Sequence, residues 1–100
     1  MRLWAIIIKN HKMARQVIVP LTGVSAQDVR EALEAACKQL DLSVPMLLIK
    51  HEHELENYGR TAFLPVDFID SVSFERFEIE LLPDGDAPKR RSKDPRNDFS

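Results

Sequence analysis

The residues best placed to do chemistry are His51, Glu52, His53 and Glu54. Two imidazoles two positions apart can ligate a transition metal when the backbone is extended. On a helix the same two rings point apart. A third ligand would have to come from elsewhere, and His11 is the one other histidine. His51 and His53 are therefore the metal candidates, set against the plainer reading of a solvated polar segment. No cofactor is expected.

Other reactive types have plainer readings too. Cys37 could act as a nucleophile beside a base and a cation. It falls on the apolar stripe of a helical pattern, where a free cysteine behaves as a small hydrophobe. Thr22-Gly23-Val24-Ser25 precedes a helix start, a place that can hold an anion. One glycine without a following lysine is no phosphate loop, so capping by Ser25 explains it. Glu78 and Glu80 share one face of a strand. Paired carboxylates do acid–base work when burial separates their pKa values, but alternation puts these two on the solvent side. Lys89-Arg90-Arg91-Ser92-Lys93 could touch a polyanion. It has no interleaved aromatic and acids flank it, so nucleic acid is disfavoured as a partner. No catalytic constellation emerges, and the chain is not read as an enzyme.

The elements that position these groups follow from periodicity. Residues 1–9, rich in isoleucine with Trp4, read as a strand that is apolar on both parities. Residues 10–12 are a turn, and 13–19 a second strand ended by Pro20. Ser25 with Asp28 three residues on starts a helix over 25–40. Val29, Leu33, Ala36, Cys37 and Leu40 form its apolar stripe. Residues 46–50 read as a short third strand, 51–58 as a short helix stopped by Gly59, and 60–64 as extended. Residues 65–69 make one helical turn with proline at its start. Residues 74–82 alternate Phe77, Ile79 and Leu81 with Glu78 and Glu80, and read as the closing strand.

Composition sets the outer limits. One hundred residues suit one domain, here 1–82, with a disordered charged tail over 83–100. The first 82 residues carry nine Lys/Arg against twelve Asp/Glu, so the domain is mildly acidic. That balance gives no electrostatic case for nucleic acid or an anionic membrane. A lone cysteine makes no internal disulfide and fits a cytoplasmic location. The apolar run 3–8 is too short for a membrane span.

This order of parts is similar to the β-grasp layout of ubiquitin. Tyr58-Gly59-Arg60-Thr61, shortly before the last strand, resembles a Gly-Arg-Thr stretch that ubiquitin carries in the corresponding place. The resemblance implies an α+β, β-grasp-like fold over about 80 residues. Ubiquitin-like modifiers and sulfur carriers end in Gly-Gly, whereas this strand runs into Leu82-Pro83-Asp84-Gly85-Asp86. Conjugation and sulfur carriage are therefore not implied. The whole chain also resembles a group of small uncharacterised bacterial proteins, which implies no activity.

One surface remains. If Leu3, Ala5 and Ile7 face the helix, Trp4, Ile6 and Ile8 face the other way, with Ile18 beside them. Left open, that face would bind a protein partner or a second copy. The alternative is that residues 51–72 cover it with Leu55, Tyr58, Phe63 and Phe68. The expectation is a non-catalytic interaction module built on Trp4, Ile6, Ile8 and Ile18. The rival readings are a metal site at His51/His53 and nucleic-acid binding through 89–93.

Overall fold

A strand that is apolar on both parities belongs in the middle of a sheet with both faces covered. The computed structural model describes residues 1–83 and puts β1 (Arg2–Lys9) in that position. β1 pairs on one side with β2 (Lys12–Pro20), across a two-residue turn at Asn10 and His11. Both turn residues have φ near +60° (55° and 62°), the left-handed pair that matches hairpin twist. Opposite Ile7 and Ile8 the register shifts, and Ala14 is the extra residue of a bulge.

Helix α1 (Ala26–Gln39) follows. The Ser25 hydroxyl accepts from the Asp28 amide at 3.1 Å, and the Asp28 carboxylate accepts in return from the Ser25 amide at 3.4 Å. This closes a capping box of the kind the sequence predicts. At the other end, Arg15 donates to the Leu40 carbonyl at 3.0 Å and so ties β2 to the end of α1.

Helix α2 (Ile49–Tyr58) ends on Gly59, whose φ of +73° is left-handed. β3 (Arg60–Phe63), a 3₁₀ turn (Pro65–Asp67) and β4 (Arg76–Leu82) are the remaining elements of the described residues. The sheet order is β2-β1-β4-β3, antiparallel throughout. The fold is thus α+β, a four-stranded sheet with two helices, compatible with a small β-grasp-like layout.

Two boundaries depart from expectation. Residues 46–50 form no strand. The Met46 amide bonds to the Asp67 carbonyl at 2.9 Å rather than to a sheet edge, and Ile49 and Lys50 already belong to α2. A five-residue apolar run does not distinguish strand from helix start. The closing strand begins at Arg76, although the Glu75 amide still reaches the Ile8 carbonyl at 2.8 Å.

Alternation splits the apolar residues into two clusters. Leu3, Ala5, Ile7, Val19, Phe63, Phe77 and Ile79 face the α1 stripe and form the main core. Leu55 from α2 and Phe68 join it. The Phe77 ring lies 6.1 Å from Phe63 and 6.2 Å from Phe68 between centroids. The second cluster, Trp4, Ile6, Ile8 and Leu82 with Met13, is on the opposite face, and its described members all come from strands.

Candidate functional site

The two metal candidates do not come together. Both sit on α2, and two positions on a helix turn the side chains to nearly opposite sides. His51 is fully buried and His53 is exposed. His11 lies on the hairpin turn beside Glu75, with 3.7 Å between its Nδ1 and the Glu75 carboxylate. No group of three or more His, Cys, Asp or Glu able to hold a metal occurs among the described residues.

His51 is instead a structural pin. Its Nδ1 accepts from the Leu48 amide at 3.0 Å, closing the first turn of α2 from the N3 position. The neutral ring then carries its proton on Nε2. That atom faces Asp67 Oδ2 at 3.7 Å. Asp67 does the same service for the 3₁₀ turn, accepting from the Leu64 amide at 2.9 Å. The imidazole also lies 4.4 Å from the Phe63 ring. Sequence reading missed Asp67; the repeated Leu-x-x-acceptor spacing at 48–51 and 64–67 is the signal that could have found it.

Burial pushes the His51 pKa below the ordinary value for a histidine, and the Asp67 carboxylate only partly opposes this. As pH falls below about 6.5, the unfolded chain therefore binds a proton that the native state refuses. Stability from this source is complete above that pH and is lost on acidification below it. Urea midpoints should fall between pH about 7.5 and about 5.5, by more in the native sequence than in His51→Gln. Equal falls in the two proteins would show that His51 does not titrate this way.

Cys37 is fully buried on the α1 stripe, as its spacing predicts. Burial first, and the Glu34 carboxylate second, push its thiol up to about 12. A thiolate is the reactive form, so Cys37 is inert in the folded chain. A thiol reagent should label no cysteine in the native protein and one after denaturation. Rapid native labelling would contradict its burial.

The start of α1 holds no free anion site, because the Asp28 carboxylate fills it. Hydrogen bonds from Ser25 hold that carboxyl below its usual range, with Thr22 adding a smaller contribution.

Trp4, Ile6 and Ile8 lie on the face away from both helices, as alternation predicts. Residues 51–72 do not cover that face. Leu55, Phe63 and Phe68 pack into the main core, and Tyr58 is exposed. Yet Trp4, Ile6 and Ile8 are only 2%, 0% and 6% exposed, while Ile18 sits at the border of exposure. The Trp4 indole donates to Gln16 at 2.6 Å. Glu78 shares the face and is itself buried, with Arg76 Nε 2.5 Å away, so the solvent-side expectation fails for it. The basic run 89–93 and the tail lie outside the described residues.

A cleft between the start of α1 and α2 was not legible in the sequence. It measures about 400 Å³. Val24, Val29, Leu47, Leu55 and Leu81 give it apolar walls, and Glu52 and Glu56 stand at one side. These two carboxylates are one helical turn apart on α2, and Ile49 lies on the same stripe three residues before Glu52. Val24, in the cleft's lining, is 64% exposed, and Ile49 on the α2 stripe is 70% exposed.

No family model matches the chain, and no curated protein or solved structure matches it either. No helix among the described residues is long and apolar enough to cross a membrane.

Proposed function

We propose that this protein is a non-catalytic protein-interaction module that takes a partner's apolar side chain into the cleft between α1 and α2. The observation that carries the reading is the cleft itself: apolar walls, exposed Val24 among its lining, and Glu52 and Glu56 along one side, with exposed Ile49 on the same stripe of α2 as these two carboxylates. Exposed apolar surface next to a preformed concavity marks a recognition site. Aliphatic walls with carboxylates at the rim suit recognition by shape and charge. The fitting partner is a protein segment with one bulky apolar residue beside lysine or arginine, since Glu52 and Glu56 attract cations and repel acids.

Peptides selected from a random display library on the full chain should converge on that pattern. Val24→Asp with Ile49→Asp changes two exposed positions and should leave the fold intact. It should weaken the selected peptides about tenfold or more, equivalent to ~1.4 kcal/mol. A library without binders, or binders indifferent to the two substitutions, overturns the reading. Sedimentation at several protein concentrations tests whether a second copy is the partner.

A further inference from the structure

Two stretches show apolar side chains to water where a solvated surface would carry polar ones. In residues 44–48 burial alternates: Pro45 is buried and Leu47 packs on the main core, while Val44, Met46 and Leu48 point outward. Around the 3₁₀ turn, Asp67 and Phe68 are buried, but Leu64, Val66 and Ile69 are exposed. Val66 and Ile69, at 80% and 87%, are the most exposed large apolar residues among those described.

The fold brings the two stretches together. The Met46 amide donates to the Asp67 carbonyl at 2.9 Å. The His51 ring, whose Nδ1 holds the Leu48 amide, stands 3.7 Å from the Asp67 carboxylate. Both stretches are thus fixed from below, and the six outward side chains stand on a preformed base. Their exposed surface is on the order of 600 Å², the upper end for the largest apolar patch of a monomer.

We propose that this patch is the interface of a homodimer, two copies meeting patch to patch about a two-fold axis. Two observations favour a second copy as the occupant. The first is charge. No Lys, Arg, Asp or Glu occurs in 42–49 or in 61–66, and the Asp67 carboxylate is buried beneath. Across a two-fold axis the same surface meets itself, so a charge near the axis would face its like. An uncharged patch escapes that repulsion, even in a domain with more acids than bases. An unlike partner is steered by charge of the opposite sign, which this patch does not offer. The second is area. A standard interface takes about 800 Å² from each partner, and about 65% of a homodimer interface is apolar, or about 520 Å². The patch supplies that amount. It is separate from the cleft, whose walls include Leu47 but none of the six outward residues.

Sedimentation equilibrium of the full chain from about 1 to about 200 µM, a range that brackets micromolar affinity, should reach twice the chain mass at the upper end. Val66→Asp with Ile69→Asp changes two exposed positions. It should keep the native circular dichroism and weaken dimerisation at least tenfold. Met46→Glu, on the other stretch, should act in the same direction. Val24→Asp, in the cleft, should leave the dimer intact, so this inference and the cleft reading fail separately. Amide hydrogen exchange in 44–48 and 64–69 should slow as concentration rises, and that of α1 should not change. The mass of one chain at every concentration overturns the proposal. A dimer that survives the Val66/Ile69 variant, or one that dissociates in Val24→Asp, overturns it too, because the interface is then elsewhere. Flotation of a monomer with neutral phosphatidylcholine vesicles makes a lipid surface the occupant and likewise overturns it.

Discussion

Phe77→Ala should destabilise the protein by about 3–5 kcal/mol, the usual cost of removing a buried aromatic ring. Phe77 is fully buried on β4, between the Phe63 and Phe68 rings and opposite Ile7 and Phe63 in register. Both helices and the 3₁₀ segment contribute to the cluster around it, so no single neighbour can move in to fill the hole. A domain of this size has roughly 5–10 kcal/mol of stability in total. The variant should therefore unfold at a much lower urea concentration, followed by circular dichroism, with a measurable unfolded fraction at room temperature. A loss below about 1 kcal/mol would mean that the core is not centred on this ring.

The second large effect concerns the other face. Ile6→Glu should cost several kcal/mol, because it buries a carboxylate directly opposite buried Glu78 in the β1–β4 register. Ile6→Lys should be the milder change, since the new ammonium would stand beside that same carboxylate. Ile18→Glu, on the same face at the border of exposure, should stay within about 0.5 kcal/mol of the native protein. Thermal melts of the three variants check this ordering. If Ile6→Glu melts with the native protein, the face is open to water. If lysine is worse than glutamate, Glu78 is not the neighbour that matters.

How much was legible beforehand depended on the range of the cause. The α1 stripe was readable because its period is local: Val29, Leu33, Ala36 and Cys37 recur on one side whatever lies opposite. The Ser25–Asp28 box was readable for the same reason. Alternation in β1 assigned Trp4, Ile6 and Ile8 to the face away from the helices without any knowledge of the partner strands. The fate of residues 46–50 was not readable, because it is decided by a hydrogen bond to Asp67 some twenty positions away. The same distance hid the His51–Asp67 pair. The separation of His51 and His53 was readable, because 51–58 reads as a short helix stopped by Gly59 and two positions on a helix turn apart, and α2 bears this out. The cleft depends on three segments meeting, from Val24 to Leu81, and no window of sequence contains it. Glu78 read as solvated because alternation gives a face and says nothing about what lies over that face.

The strand order has a consequence for how the molecule is made. β1 is central, and its second neighbour is β4, so the first and last elements among the described residues are hydrogen-bonded to each other. During synthesis β1 and β2 can close their hairpin early, but one whole edge of β1 stays unpaired until Leu82 has been added. From Lys9 to Leu82 that is 73 residues, or roughly 4–15 s at ordinary rates of elongation. For that interval the most isoleucine-rich stretch of the chain presents a bare β-edge, the kind that recruits other chains. Nascent chains that stall in this window should be the ones that aggregate or engage a chaperone. Completed chains, with their final strand in hand, should escape both fates.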